Sequence, residues 1–337
     1  METRNIFNRL PVVMIIVVMI IFTAGIIVVF NYHRIVETDA NLNTLDGISS
    51  TPNENNSFAD NTSSGGSPAV SERNVAHTTH EYSQDFIPGS KFSLDDPKIG
   101  KTRYVYDSTR IDADGDGAAD DVLLVGSAAF GNQTRNLAVV VRDGVTGKFA
   151  SFLLPEDFGV MLPRLTTGSF TAAKKNEILV SVETGGSGGI VLYALMAYEN
   201  KKVVSVVSQA ELNKGLDLKV VCLPGFEMKI IDKNTGVNSS VDFHDGEAAQ
   251  LYIGMGVYNK AGVFLKDQAY VDDEVMDDVF VSLNPADDDG DGIQELHGKQ
   301  RISFITHANT VAWAESVWSV KGGRLRLVSE KIEAYKP

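Results

Sequence analysis

Two short acidic runs carry the residues best suited to chemistry. The first reads Asp112-Ala113-Asp114-Gly115-Asp116-Gly117-Ala118-Ala119-Asp120-Asp121, and the second Asp287-Asp288-Asp289-Gly290-Asp291-Gly292-Ile293-Gln294-Glu295-Leu296. Carboxylates at alternate positions of a tight loop can converge on one hard cation, and Ca²⁺ takes six to eight oxygen ligands. Asp112, Asp114 and Asp116 would supply side-chain oxygens, Ala118 a main-chain carbonyl and Asp120 a further carboxylate. Asp287, Asp289, Asp291, Ile293 and Glu295 form the equivalent set. Gly117 permits the sharp turn that wraps the first loop. The expected cofactor is therefore Ca²⁺ at two sites, with Mg²⁺ a poor substitute because it demands tight octahedral geometry.

An EF-hand would place a bidentate carboxylate at the twelfth loop position between two helices. Leu123 and Gly298 stand there instead. The flanks, 103–106 and 122–125 at the first loop and 279–283 before the second, are rich in β-branched and aromatic residues and predict strands. The pattern D-x-D-x-D-G-x-x-[DE] followed by an aliphatic strand resembles the FG-GAP or VCBS-type repeats of integrin-like β-propellers and of many bacterial surface proteins. That resemblance implies propeller-like repeats of antiparallel strands, with calcium held in strand-loop-strand sites. A third copy of the frame runs from Gly168 to Val180, with Glu177 at the ninth position and the acidic ligands lost. Ser169 lies 57 residues beyond Asp112, and Asp287 lies 118 beyond Ser169, close to two further steps of one repeat length. A fourth unit near residue 228 carries no recognisable loop.

A competing enzymatic signal is Gly185-Gly186-Ser187-Gly188-Gly189, which matches G-x-S-x-G and follows the strand-like 178–182. In an α/β-hydrolase such a serine sits on a strand-to-helix elbow, and His297 or His307 would have to serve as base. Yet 190–198 reads as a buried strand, and no oxyanion-type His-Gly-Gly motif precedes it. A glycine-rich hairpin without catalysis at Ser187 is the expectation, with a surface serine hydrolase as the alternative. The same residues fail as a phosphate loop, since no Lys-Ser/Thr follows. His77-Thr78-Thr79-His80 lies in a polar segment where solvated histidines are the expectation. His244, like the other two histidines, is single. Cys222, the one cysteine, sits in an apolar run and reads as a small buried hydrophobe, so no intramolecular disulfide forms.

The elements that must position the loops are strands. A hairpin is predicted from 137–142 and 149–154 around an Asp143-Gly144 turn signal. Further strands are expected at 178–182, 190–198, 203–207, 228–231, 302–306, 311–318 and 325–333. Trp313 and Trp318, five apart, fall on opposite faces of a regular strand, so one is core and the other exposed. Few stretches have helical periodicity. The fold class expected is all-β, preceded by one transmembrane helix.

That helix is predicted from the uncharged run Leu10–Phe30, long enough to span a bilayer. The preceding residues 1–9 would be a short cytoplasmic tail by the positive-inside rule. Residues 31–91, rich in Asn, Ser, Thr and Gly, predict a flexible linker. Residues 92–337 would be an extracytoplasmic calcium-binding β domain. A net charge of −14 argues against nucleic-acid binding. The partners expected are the membrane, through the N-terminal helix, and an envelope protein or glycan. The protein is expected at the cell membrane, single-pass, with a binding or structural role.

Overall fold

The computed structural model describes residues 83–335, leaving out 97, 128–134, 156–160 and 245. The cytoplasmic tail and membrane helix predicted above, and the linker up to residue 82, lie outside the described residues. Among the described residues no helix is long and apolar enough to cross a membrane. The predicted linker ends too late at its C-terminal side. Ser83 is buried and donates to Asp121 Oδ1 at 2.5 Å, Asp85 pairs with Arg142, and Phe86 packs edge-on against Phe92 and Phe149. A few residues in a polar stretch dock it, which averaged composition conceals.

The protein is mostly β. Four antiparallel meanders follow one another, each strand hydrogen-bonded to the next. The first sheet holds β1 (Lys91–Phe92), β2 (Arg103–Ile111), β3 (Asp120–Gly126), β4 (Ala138–Arg142) and β5 (Phe149–Leu153). The second holds β6 (Met161–Gly168), β7 (Glu177–Glu183), β8 (Val191–Glu199) and β9 (Lys202–Ser205). The third holds β10 (Leu218–Leu223), β11 (Glu227–Asp232) and β12 (Asn238–Asp242), and the fourth β13 (Val275–Ala286), β14 (Glu295–Phe304), β15 (Thr310–Lys321) and β16 (Arg324–Ala334). Among the described residues three short helices were not foreseen: α1 (Gln209–Leu212), α2 (Glu247–Gly254) and α3 (Gln268–Glu274). None spans enough turns for an apolar period to emerge, and α1 and α3 are instead marked by side-chain caps from Ser208 and Asp267.

Strand patterning explains how the sheets stack. β3, β4, β7 and β8 each carry an unbroken apolar run, 122–125, 138–141, 178–180 and 191–198, and such runs must be covered on both faces. Val122, Leu124, Val139 and Val141 of the first sheet meet Ile178, Val180, Ala194 and Met196 of the second. The alternate residues Leu123, Val125 and Val140 face Phe92 and Ile99 from the N-terminal segment. The second sheet turns its other face, through Leu179 and Leu195, onto Phe280, Leu283 and Leu296 of the fourth. β14 alternates instead, burying Leu296, Gly298, Gln300 and Ile302 while His297, Lys299 and Arg301 point away. Farther along that same face, Ile302, Phe304, Ala312 and Ala314 cover Val220, Met228 and Ile230 of the third sheet and Tyr252 of α2. Burying each Val, Leu, Ile, Met or Phe among these contributes roughly 1.5–3 kcal/mol. The tryptophans take different faces but neither is core or exposed: both are half-buried, Trp318 edge-on against Phe280 and Trp313 on the outer face under the Lys299 ammonium. Cys222 is buried in the third sheet's core, and burial pushes its thiol up to about 11.

Candidate metal centre

The three loops of the repeated frame occupy equivalent places. Each joins the paired ends of two antiparallel strands, with Ile111 opposite Asp120, Gly168 opposite Glu177 and Ala286 opposite Glu295. The intervening segments 112–119, 169–176 and 287–294 are equal in length. In each, the ninth-position carboxylate accepts the amide of the second position: Asp120 from Ala113 at 2.9 Å, Glu177 from Phe170 at 2.8 Å and Glu295 from Asp288 at 3.4 Å. The loops are also strung together. Asn176 Nδ2, at the eighth position of the second loop, donates to the Asp112 carbonyl at 2.8 Å, and the Gln294 amide, at the eighth position of the third, donates to the Ser169 carbonyl at 2.7 Å.

Within the first and third loops the predicted ligands converge in the same way. Asp112 accepts the Gly115 and Gly117 amides at 2.8 and 3.0 Å, and Asp287 accepts those of Gly290 and Gly292 at 2.8 and 3.0 Å. Asp114 and Asp289 accept from the fifth-position amide, while Asp116 and Asp291 accept from Ala118 and Ile293. All four loop glycines have positive φ, between 76° and 89°, which side-chain-bearing residues adopt only with strain. The backbone is therefore wound so that its amides hold the carboxylates inward. Asp112, Asp114 and Asp116 each bring an oxygen within 4.8 Å of the others, and Asp287, Asp289 and Asp291 do the same. An all-oxygen, anionic cluster on a wound loop fits a hard divalent cation. Asp120 and Glu295 stand apart from these triads as the staples that close the loops. Asp120 is fully buried and its other oxygen accepts the Gly144 amide at 2.7 Å. Burial is the main reason that its carboxyl lies above the ordinary carboxylate range.

The two acidic loops differ in one respect that their spacing does not show. At the first, Lys201 from the β8–β9 turn reaches across, its Nζ 2.6 Å from Asp114 Oδ2, 3.1 Å from Asp116 Oδ2 and 2.6 Å from Asp143 Oδ2. Asp143 is 1% exposed and also accepts the Tyr198 hydroxyl at 3.1 Å. The ammonium holds the Asp143 carboxyl far below the usual range, and the three carboxylates hold the Lys201 ammonium far above its own. At the third loop, Asp287, Asp289 and Asp291 are exposed, and among the described residues no lysine or arginine pairs with them. Among the described residues the second-position Asp288 has a histidine beside it, His297 Nε2 lying 3.0 Å from its Oδ2. Lys201, Asp143 and Tyr198 were missed because each is remote in sequence from the loop it serves. The one available signal was the Glu199-Asn200-Lys201 turn, whose tip had to project somewhere.

Ser187 lies in the hairpin loop between β7 and β8. It is exposed, and its carbonyl accepts from Arg301 Nη2 at 2.8 Å. The segment after it is a strand, Val191–Glu199, paired with β7. The strand-to-helix elbow that the hydrolase alternative requires is thus absent.

Comparison with known proteins adds sequence relatives. Residues 216–333, which include the third loop but neither of the others, match the family described as the YybI C-terminal domain. The chain is 29% identical over 237 residues to the uncharacterized protein YybI of Bacillus subtilis (strain 168), covering 69% of this chain and 86% of that one. A crystal structure of the exotype rhamnogalacturonan lyase YesX aligns over 75% of this chain and 36% of its own, so the chain spans about a third of that protein. The identity is 13% and the TM-score 0.30, too low to carry an argument about fold or activity. The chain is thus similar to YybI along most of its length, and its third loop lies in the part that the family description covers.

Proposed function

We propose that this chain is a calcium-binding β protein of the bacterial cell surface, held at the membrane by the 10–30 segment and acting by binding or scaffolding rather than by catalysis. The observation that carries the reading is the shared architecture of the loops at 112 and 287, where wound backbone amides aim three carboxylates at one point. Bound Ca²⁺ would relieve the mutual repulsion of those carboxylates and stiffen the strand connections beneath. The order of four consecutive meanders supports the propeller-like, FG-GAP or VCBS-type reading as an open stack of blade-like sheets. Turn loops at the ends of such sheets suit a partner such as an envelope protein or a glycan.

Calorimetric titration of the purified full chain with CaCl2 should give saturable binding, and Ca²⁺ at a hundredfold excess over Kd should raise stability by about 2.7 kcal/mol. No heat at millimolar Ca²⁺, with a melting temperature unmoved by chelator, would reduce both loops to acidic turns. In intact cells, added protease should release a soluble fragment by cutting between residues 36 and 82. Protection of residues 92–337 until lysis would reverse the proposed orientation.

A further inference from the structure

The loops at 112 and 287 share a sequence pattern and a backbone, but one of them already holds a positive charge. We propose that Lys201 is a tethered cation occupying the first loop, so that the third loop is the high-affinity Ca²⁺ site and the first takes Ca²⁺ only when Lys201 is withdrawn. This rests on the calcium reading above and changes its stoichiometry. The Nζ contacts Asp114 Oδ2 and Asp116 Oδ2, oxygens of the very carboxylates that a metal ion would need. A divalent ion bound beside the ammonium would face a like charge at contact distance, and that repulsion must be removed before it can bind.

Withdrawal is opposed by more than the loop itself. Asp143 belongs to the β4–β5 turn, is 1% exposed, and takes Lys201 as its counter-charge. Pulling the ammonium out would leave a buried carboxylate without its cation, which is costly. The tether is aimed as well. Asn200 and Lys201 form the tip of the β8–β9 hairpin with φ of 50° and 59°, the left-handed pair that a two-residue turn requires. Those dihedrals, with the Lys201 Nζ 5.9 Å from the centre of the Tyr198 ring, direct the side chain over the first loop. Nothing comparable faces Asp287, Asp289 and Asp291 among the described residues.

The test is calorimetric titration of the full chain with CaCl2, for the natural sequence and for Lys201→Met, Lys201→Arg, Asp116→Ala and Asp291→Ala. The natural sequence should show one tight site, lost in Asp291→Ala and retained in Asp116→Ala. Lys201→Met should add a second site at least roughly tenfold tighter than any weak second event in the natural protein. That gain should vanish in Lys201→Met/Asp116→Ala and be absent in Lys201→Arg. If Lys201→Met does not fold, Lys201→Gln makes the same charge change with a polar side chain. Amine acylation read by mass spectrometry gives an independent measure: Lys201 should stay protected at Ca²⁺ concentrations that saturate the tight site. Two sites of matching affinity, unchanged in Lys201→Met, would overturn this inference and leave the calcium reading standing. Absence of binding in every variant would overturn both.

Discussion

Glu177 separates what the loop frame needs for folding from what it needs for a metal. It is 0% exposed in a loop that has lost its acidic ligands, yet Oε2 accepts the Phe170 and Thr171 amides, both at 2.8 Å, and Oε1 receives the Thr171 hydroxyl and lies 3.1 Å from Lys175 Nζ. The ninth position therefore persists as a staple whether or not the loop can bind a cation. Glu177→Ala leaves buried donors unpaired and should destabilise the protein by about 3 kcal/mol in urea denaturation, equally with Ca²⁺ and with chelator. Glu177→Gln, which keeps an acceptor oxygen, should lose less. A loss below about 1 kcal/mol for Glu177→Ala would mean that the staple is dispensable. Asp120 and Glu295 were read from sequence as ligands because a carboxylate at that spacing serves either purpose. In the structure both accept the second-position amide and lie outside the two triads whose oxygens converge.

At the scale of elements, the first loop depends on a hairpin that is not its own. The β4–β5 connection spans 143–148 between Arg142 and Phe149, as the predicted strands require, but its glycine in the left-handed region is Gly147 rather than Gly144 of the Asp-Gly signal. Gly144 has another task. Its amide donates to Asp120, and a Cβ there would stand 2.3 Å from the Ala119 carbonyl oxygen. The backbone of one turn thus lies directly on the backbone of the first acidic loop. Gly144→Ala should cost roughly 1–3 kcal/mol by forcing that contact apart. It should also weaken the closure at Asp120, seen as faster amide exchange at Ala113. A Gly144→Ala protein that melts like the natural one would show that the two backbones can part at no cost.

For the molecule as a whole, charge balance is uneven between sheets built alike. The β11–β12 turn repeats the D-x-x-T-G design of the β4–β5 turn. Gly236 donates to the Asp232 carbonyl as Gly147 does to that of Asp143, and the Thr235 and Thr146 amides bond to the respective Oδ1 atoms. Asp143 has Lys201 for its second oxygen, whereas Asp232 Oδ2 is buried without a hydrogen-bond partner and an acid, Glu330 of β16, stands beside it. Burial, and then the Asp232 charge, raise the Glu330 carboxyl above its ordinary range. A raised folded-state value means that the protonated form is favoured by folding. The stability this contributes is fully present below the unfolded value of about 4.3 and is lost as pH rises through the raised folded value. Glu330→Gln keeps the acceptor for Thr235 and can donate to Asp232, so it should stabilise the protein at neutral pH by roughly 1 kcal/mol. Urea melts from pH 4 to 8 should show that advantage grow with pH. An advantage that is constant or shrinks would refute the pairing.

By itself the sequence determined the strands that are apolar throughout, the wound loops and the turn at Asn200-Lys201, because each depends on neighbours in the chain: side-chain alternation, left-handed glycines, amide-to-carboxylate bonds a few residues long. The identical hydrogen-bond pattern of the two acidic loops was legible at that range. Three things belong to tertiary structure alone. The helices α1 to α3 are too short to leave a period, so packing against the strands decides them. Docking of 83–91 follows from a few contacts that composition averages away. And the unequal state of the two acidic loops is set by a lysine 85 residues from Asp116 and an aspartate in another turn, because electrostatic pairing depends on distance in space and is blind to separation along the chain.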